Sequence, residues 1–479
     1  MPRCGRLALI AMALVLAAAT ARTAQAPGTA AFRADRSPVW DQFRHGGGLN
    51  DVVVNPNLPD RLSWRFSQPR KGTSTSPVVA GNRVLIAAND HTLYAVDAAN
   101  GRLAWQWHGD NEIMSAPVYR DGIAVVGTGN ADSPVWDPPE YNIVGMGASD
   151  LNGIDLRTGA KLWSFALTGS GMPMPALVGN QLLHVDGSGV FLALDIRTGA
   201  YRWRRLVYSN ASMTNVLVGT GGLAYFGGRF PNAIYAFRAI DGRPVWTHAF
   251  PQRNGAFDDC PLATDGRRIF GMYASPLDPN PQRSIIAGIG ARQHVYALDA
   301  TTGRLRWDST LAVTGAEPPY NESAIPMYSN GTVYDGSPLA PYVTALDARS
   351  GRIKWSLRVT GPVKGGLSLR DGVLYFGDLG GRLWAVDAAS GHALGSVQTD
   401  LKFNVGSPIV LNGSLVIGSA QGPVIAVPLD AIRASHGVPA ITAATTLPAA
   451  IMFAAAAALL VAFTTLWLLA RRRTTRYAR

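Results

Sequence analysis

The chain has 479 residues, of which 43 are Lys or Arg and 32 are Asp or Glu, and its formal net charge is +11. Eight of the basic residues lie in the first 26 and the last nine residues, where there is no acidic residue. The remaining 35 nearly balance the 32 acids, so the body of the chain lacks the basic surplus typical of nucleic-acid binding. We therefore expect no nucleic-acid partner.

The N-terminal segment is typical of a secretory signal peptide. Arg3 and Arg6 precede an apolar run over residues 7–19, and small residues that suit cleavage follow it. We predict a signal peptide over 1–26 and an N-terminal lead-in over 27–61, with an uncleaved anchor as the alternative. No cysteine follows the apolar run in the position that a lipid anchor requires, so we expect no lipid anchor.

One eleven-residue phrase returns along most of the chain: Ala, an apolar residue, Asp, two residues, Thr or a substitute, Gly, three residues and Trp. The full copies cover 95–105, 193–203, 297–307 and 345–355, and looser copies cover 153–163, 236–246 and 385–395, the last ending in Gly395 instead of Trp. Asp bonds its own backbone and Gly tolerates positive φ, so these residues bracket a turn. Each copy predicts a β-hairpin whose second strand carries an aromatic plug.

The residues ahead of each phrase predict two more strands, for example 76–79 and 83–88. Four antiparallel strands per repeat are typical of a β-propeller blade. Seven phrases and a last set of strands over 405–427 predict an all-β fold, an eight-bladed β-propeller over 62–430, with seven blades as the alternative. We expect the strand around Trp64 to complete the last blade, because this pairing of the two ends removes exposed sheet edges.

The C-terminal part predicts a membrane anchor. Residues 447–470 carry no charge and are long enough for a tilted transmembrane helix. The basic tail over 471–479 should then be cytoplasmic by the positive-inside rule, with residues 431–446 as a tether. We predict a single-pass protein of the inner (cytoplasmic) membrane whose propeller lies in the periplasm or the extracellular space.

The Trp-bearing phrases resemble the tryptophan-docking repeats of the pyrroloquinoline quinone (PQQ) propeller superfamily. Its members include the quinoprotein alcohol dehydrogenases and the propeller lipoprotein of the outer-membrane β-barrel assembly machinery. The resemblance covers about residues 40–430, and the opening 40–45, Trp-Asp-Gln-Phe-Arg-His, is also similar to the start of many secreted members. It implies the fold and leaves the function open, because one scaffold hosts enzymes and binding platforms alike.

One segment points to the dehydrogenase branch of that superfamily. Residues 126–136 resemble its Gly-Thr-Gly-Asn and Pro-Trp segment, in which the Asn helps to hold the calcium that bridges cofactor and protein. The resemblance implies Asn130 and Trp136 as cofactor-binding residues and Asn130 as a metal ligand. The family's catalytic base is expected after Trp163, but residues 164–173 contain no Asp, Glu or His. The sequence therefore assigns no residue to the catalytic role, which stays unknown.

Residues just before each innermost strand are expected to crowd the central channel of a propeller. Charged or amide side chains in these stretches are Glu112, Asp258, Asp259, Glu322, Lys364 and Asn404. Asp258, Asp259 and Glu322 are candidate cation ligands, and the alternative is that they are solvated or turn-forming.

Other reactive side chains are expected to be structural. Cys260 is the one cysteine left after signal cleavage, so we predict a buried and inert thiol. His91, His184 and His294 lie in separate blades without metal-ligand spacing and are expected to be ordinary strand or loop residues.

Two functions follow from these observations. The first is a membrane-anchored, extracytoplasmic scaffold without catalytic activity or cofactor, whose loops, especially the insertions 131–147 and 275–291, bind a protein of the cell envelope or a ligand. The alternative is a PQQ-dependent, calcium-assisted alcohol or sugar dehydrogenase that feeds electrons to the membrane quinone pool. The missing base favours the scaffold.

Overall fold

The computed structural model of the protein describes residues 52–129, 149–219, 221–251, 254–257, 259–277, 290–313 and 324–435. These residues form eight separate β-sheets, and seven of them are built from four consecutive antiparallel strands. The predicted eight-bladed β-propeller is confirmed, and the seven-bladed alternative is wrong.

Each blade begins at the centre of the propeller and ends at its rim, and the first strands of neighbouring blades contact one another. The first two strands of the chain are β1 (Val52–Val53) and β2 (Trp64–Phe66), which belong to blade 8. Blade 1 contains β3 (Val78–Ala80), β4 (Arg83–Ala87), β5 (Thr92–Asp97) and β6 (Leu103–His108); blade 2 contains β7 (Val118–Arg120), β8 (Ile123–Gly127), β9 (Asp150–Asp155) and β10 (Lys161–Ala166).

The next three blades follow the same order. Blade 3 contains β11 (Ala176–Val178), β12 (Gln181–Val185), β13 (Val190–Asp195) and β14 (Tyr201–Leu206); blade 4 contains β15 (Leu217–Val218), β16 (Leu223–Gly228), β17 (Ala233–Arg238) and β18 (Pro244–Ala249). Blade 5 has longer strands, namely β19 (Ala263–Thr264), β20 (Arg268–Pro276), β21 (Ala291–Asp299) and β22 (Leu305–Val313).

The last blades complete the ring. Blade 6 contains β23 (Met327–Ser329), β24 (Thr332–Gly336), β25 (Tyr342–Asp347) and β26 (Ile353–Arg358); blade 7 contains β27 (Ser368–Arg370), β28 (Val373–Gly377), β29 (Arg382–Asp387) and β30 (Ala393–Gln398). Blade 8 adds β31 (Ile409–Leu411), β32 (Ser414–Gly418) and β33 (Val424–Pro428), and a short helix, α1 (Leu429–Ala434), follows.

Burial changes from the middle of a blade to its rim. All residues of β12 are buried, because a middle strand is covered by the neighbouring blade on each side. The outermost strand β14 alternates between exposed and half-buried positions. The hydrophobic core therefore lies between blades, and each interface contributes its own cluster of apolar side chains.

The repeated tryptophans join each blade to the next. Each indole N–H donates to a backbone carbonyl in the C-terminally adjacent hairpin, and its ring packs on the glycine of that hairpin's turn. The bonds join Trp64 to Ala98, Trp105 to Leu156, Trp163 to Ile196, Trp203 to Ile240, Trp246 to Ala300, Trp307 to Ala348 and Trp355 to Ala388, with N···O distances of 2.7–3.1 Å. The tryptophans are structural, as predicted.

The turn at these contacts needs glycine for two reasons, its backbone conformation and the closeness of the indole. Gly303 has a φ of +69°, and a Cβ there would lie 2.5 Å from the ring of Trp246. A larger residue would therefore be strained in its backbone and would collide with the indole.

Blade 7 lacks the tryptophan and uses a different contact. A Cβ on Gly395 would lie 2.4 Å from the backbone oxygen of Ile432, so the helix α1 packs where the other blades place an indole. Leu429 and Ile432 are the buried side chains of α1. The sequence did not predict this helix.

The ring closes through the N-terminal part of the chain. Strand β2 pairs antiparallel with β33, with Trp64 opposite Ala426 and Phe66 opposite Val424. The predicted closure is confirmed. Strand β1 adds an unpredicted fifth strand, because it pairs parallel with β31 at the inner edge of blade 8.

The predicted membrane and export segments are not covered by these strands. The signal peptide over 1–26 and the transmembrane helix over 447–470 lie outside the described residues and stay predictions. Within the part of the chain that the structure describes, no helix is long and apolar enough to cross a membrane.

Candidate functional site

The longest connections all start and end on one face of the propeller. Successive strands of a blade run in opposite directions. The connection from the second to the third strand therefore lies on the same face as the connection from the outermost strand of one blade to the innermost strand of the next. Residues 130–148 connect β8 to β9, 278–289 connect β20 to β21, and 314–323 connect β22 to β23. We call this side the loop face, and both predicted insertions attach there.

The dehydrogenase-like segment also reaches the loop face at the end of β8. The N–H of Gly129 donates to the backbone oxygen of Glu112 at 3.0 Å, and the N–H of Gly171 donates to that of Thr128 at 3.1 Å. The next residue, Asn130, lies outside the described residues, as does Trp136. Their cofactor-binding and metal-binding roles stay predictions.

A narrow space of about 10 Å³, roughly the room of one water molecule, lies on the propeller axis. Its lining comes from residues just before or at the start of six innermost strands, namely Ser74, Thr75, Ser76, Met174, Met213, Asp259, Pro261, Ile325 and Val405. Ligand pockets usually measure about 300–1,000 Å³, so the axial space is small. Asp259 does lie at the channel, as the sequence predicted, and its carboxylate is within 3.4 Å of the Ser212 hydroxyl.

The described part of the channel does not fit a quinone held by calcium. Calcium takes about six to eight oxygen ligands, whereas this lining contains one carboxylate among apolar and hydroxyl side chains. No group of three or more His, Cys, Asp or Glu residues suited to a metal occurs among the described residues. Asp258 and Glu322 lie outside them, so the cation site that these residues would form with Asp259 stays a prediction.

Glu112 and Cys260 are both structural. Glu112 is buried and lies 3.3 Å from the Lys71 ammonium group. The sulfur of Cys260 accepts the N–H of Met272 at 3.3 Å and lies 3.4 Å from the backbone oxygen of Ala324. Burial raises the pKa of this thiol well above its usual value. The predicted burial of Cys260 is confirmed, and its inertness stays a prediction.

His184 is an ordinary strand residue, as predicted. It is fully buried on β12, and burial lowers its pKa to about 4 despite the opposing charge of Asp186. The imidazole is therefore neutral at physiological pH.

A buried carboxyl group that the sequence analysis missed lies between blades 5 and 6. Asp335 on β24 is 1% exposed, and its Oδ2 accepts the amide N–H of Gln293 at 2.9 Å. Burial raises its pKa well above the ordinary value, an effect that the Gln293 bond opposes. The folded protein therefore favours the protonated acid.

Asp335→Asn is expected to stabilise the protein at neutral pH, by about 2 °C or more in Tm. The folded pKa is above the unfolded one, so wild-type stability is highest below the unfolded pKa and falls as pH rises through it. The asparagine keeps an acceptor for Gln293 and removes this pH-dependent cost. Thermal unfolding at pH 4 and pH 7.5 measures the effect, and the gain should vanish at the lower pH.

Asp347→Asn is the matched control. Bonds from Ser350 lower the pKa of Asp347, so its contribution to stability is present above the unfolded pKa and is lost on acidification. This variant should lose stability at pH 7.5. If both variants shift in the same direction, the assignment of Asp335 is wrong.

Four polar side chains on blade 5 form a connected network. The hydroxyl of Ser275 lies 2.8 Å from Nε2 of His294, and Nδ1 of His294 lies 3.1 Å from Oδ1 of Asp308. The hydroxyl of Tyr273 donates to Oδ2 of Asp308 at 2.6 Å, and its ring stacks on the imidazole with centroids 4.4 Å apart. The prediction that His294 is an ordinary residue did not foresee this network.

Sheet register explains why the network was missed. Tyr273 on β20 pairs with His294 on β21, and Tyr296 on β21 pairs with Asp308 on β22. The residues are therefore neighbours across three strands although no local spacing in the chain links them. These three strands have nine residues each, and no signal in the sequence alone indicates their register.

Comparison with curated proteins finds relatives of several activities. The tetrathionate hydrolase of Acidithiobacillus ferrooxidans is 25% identical over 439 residues, covering 84% of this chain and 83% of its own. The quinohemoprotein alcohol dehydrogenase ADH-IIG of Pseudomonas putida is 36% identical over 156 residues, 30% of this chain and 21% of its own. The outer membrane protein assembly factor BamB of Yersinia pestis is 26% identical over 260 residues, 46% of this chain and 64% of its own.

Solved structures share the fold. BamB from Moraxella catarrhalis superposes with a TM-score of 0.55 at 20% identity, covering 76% of this chain and 97% of that one. The quinohemoprotein alcohol dehydrogenase of Comamonas testosteroni gives a TM-score of 0.58 at 13% identity, covering 82% and 80%. At these identities the likeness concerns the fold alone.

The family model described as outer membrane protein assembly factor BamB, a model of PQQ-like repeats, matches residues 147–257 and 291–440. The matched residues make up more than half of the chain and include the third and fourth strands of blade 2 and most of blades 3 to 8. The chain therefore belongs to the BamB-like family of PQQ-repeat β-propellers.

Proposed function

We propose that the protein is an extracytoplasmic scaffold that binds a protein of the cell envelope through its loop face, anchored in the inner membrane by residues 447–470. The observation that carries this proposal is a set of three exposed large apolar side chains on the loop face at blades 3 and 4. Leu206, Tyr208 and Phe230 are 53%, 76% and 47% exposed. Exposed aromatic side chains beside arginine are typical of the energetically dominant residues of protein interfaces.

The backbone joins the two connections that carry these side chains. Asn210 and Arg229 exchange two backbone hydrogen bonds of 2.9 and 2.8 Å, which join the connection after β14 to the connection after β16. Tyr208 and Phe230 both have a φ of 56°, a conformation that costs energy in residues other than glycine. The guanidinium of Arg229 lies 4.8 Å from the centre of the Phe230 ring. Both aromatic side chains are therefore exposed beside a backbone bridge that joins the two connections.

The family supports a protein partner. The BamB proteins to which the chain is related are named as outer membrane protein assembly factors. The described axial lining offers neither the volume nor the oxygen ligands of a cofactor site, so the loop face is the better candidate for the functional surface.

A photo-crosslinking experiment tests the scaffold. A p-benzoylphenylalanine at position 208, in membranes of cells that express the full chain, is expected to capture one discrete partner. The double substitution Tyr208→Ser with Phe230→Ser should weaken co-purification of that partner at least about tenfold. Position 201 is the matched control, because Tyr201 is 54% exposed but lies at the other end of β14. Equal capture from positions 201 and 208 would refute the proposal.

The dehydrogenase alternative rests on residues 126–136 and on the 36% identity to ADH-IIG over 156 residues. Incubating the purified protein with PQQ and calcium, followed by dye reduction with simple alcohols, tests it directly. The scaffold proposal expects no turnover. Turnover that is lost in Asn130→Ala would replace the scaffold with a dehydrogenase.

A further inference from the structure

Blade 5 carries the geometry of a nucleophilic hydrolytic site. Ser275, His294 and Asp308 are connected in the order nucleophile, base and orienting carboxylate, with contacts of 2.8 and 3.1 Å. Hydrogen-bond reach between nucleophile and base, with the base oriented by a third group, is the structural signature of an activated serine. We propose that Ser275 is the nucleophile of a second site that hydrolyses carboxylic esters.

The hydrogen-bond partners fix the roles of the two imidazole nitrogens. An ionised Asp308 can only accept, so Nδ1 of His294 carries the proton that is donated to Oδ1. Nε2 then has a free lone pair and accepts the hydroxyl proton of Ser275. This is the tautomer that a general base requires.

Tyr273 holds both partners of that arrangement. Its ring is nearly parallel to the imidazole, at an angle of 4°, which restricts rotation of His294. Its hydroxyl donates to the second oxygen of Asp308 at 2.6 Å, so the carboxylate is fixed at both oxygens. All four residues lie on strands, which position a site more precisely than loops do, and a register shift lies between Arg292 and His294 in the pairing of β21 with β22.

The network is partly open to solvent. Ser275 is half-buried, and the side chains of His294 and Asp308 are 14% and 28% exposed. Ser275 pairs directly with the exposed Arg292 across β20 and β21, so both side chains project from the same side of the sheet. A guanidinium beside the serine favours esters whose acyl group carries a carboxylate.

The reaction balances with water as the only co-reactant. The Ser275 oxygen bonds to the ester carbonyl carbon while its proton moves to Nε2 of His294. The carbon–oxygen bond to the alcohol then breaks, and the alcohol leaves with that proton. Water next gives a proton to Nε2, its oxygen attacks the acyl-serine, and the serine takes the proton back as the carboxylic acid is released.

Labelling with a fluorophosphonate probe tests the nucleophile in the full chain. The expected result is a single adduct that peptide mass spectrometry maps to Ser275. Ser275→Ala and His294→Ala should each abolish it and lower hydrolysis of p-nitrophenyl acetate at least about 100-fold. The matched control is Ser164→Ala, because Ser164 is a strand serine of blade 2 that donates to Asn152 at 2.9 Å and has no histidine partner. This variant should react like the wild type.

Two further measurements separate catalysis from a structural role. Asp308→Asn should retain the circular dichroism spectrum and shift the pH dependence of labelling, because the imidazole loses its orienting charge. Arg292→Ala should raise KM for a succinyl ester and leave that for the acetyl ester unchanged. Absence of an adduct in the wild type, or equal labelling of Ser275→Ala, would overturn the proposal. Crosslinking from position 208 is independent of Ser275, so the scaffold and the hydrolytic site can fail separately.

Discussion

Asp378→Ala is expected to lower the free energy of unfolding by about 3–5 kcal/mol, the largest effect among these variants. Asp378 is fully buried in the turn between β28 and β29. Its Oδ2 accepts the N–H and hydroxyl of Thr360, the N–H of Gly361 and the indole N–H of Trp384, at 2.5–3.2 Å. Its Oδ1 accepts the N–H of Arg382 at 3.0 Å. Alanine would leave the buried N–H groups of Gly361 and Trp384 without an acceptor. Urea unfolding followed by circular dichroism measures the loss.

Asp387→Ala in the same blade is the matched control. Asp387 also accepts two bonds, from the N–H and hydroxyl of Ser390, but its turn is open to solvent. Water can replace those bonds, so the loss should be about 1 kcal/mol or less. Similar losses for the two variants would show that burial of Asp378 does not set its contribution.

Asn412→Ala is expected to cost about 2–4 kcal/mol and to release the lead-in from blade 8. The Nδ2 of Asn412 donates to the backbone oxygens of Asn55, Leu58 and Pro59 at 2.9–3.1 Å, and its Oδ1 accepts the N–H of Asn55 at 2.8 Å. One side chain thus satisfies the backbone of a whole segment. Limited proteolysis should cut the variant near residues 55–61 faster than the wild type, and urea unfolding gives the energy.

Asn330→Ala controls for the backbone. Asn330 occupies the equivalent turn of blade 6 with a φ of 45°, against 50° for Asn412, and is also followed by glycine, but it is exposed. Both substitutions strain the turn by about 1 kcal/mol, so the difference between them reports the lead-in bonds. If the two variants lose equal stability, the lead-in is not held by Asn412.

The repeated phrase made the fold predictable because each part has a local cause. Asp97 and Gly101 form a turn, and the indole of Trp105 then donates a hydrogen bond to Leu156 in the next blade. The closure was predictable from the strand around Trp64, which had no hairpin partner nearby in sequence. By contrast, β1 and α1 form only because blade 8 and Gly395 provide surfaces for them, so nothing in their own sequences signals them.

The candidate sites were harder to predict, for a physical reason. Asp259 was placed correctly because its position before an innermost strand fixes it at the channel. Asp335 is unusual only through its burial between two blades, and the sequence shows it as one polar residue in an apolar strand. Ser275, His294 and Asp308 depend on the register of three strands, a property of pairing that residue types do not encode.

Because β2 pairs with β33, the ring can close only after almost the whole propeller has been synthesised. Until residue 428 has been synthesised, β2 has no partner. The incomplete ring then has two open ends with unpaired strands. Unpaired strands at such open ends can pair with strands of other chains and cause aggregation. A premature stop before Val424 should therefore yield aggregates instead of a smaller ring, and chaperones that shield strand edges should bind this protein until translation passes that point.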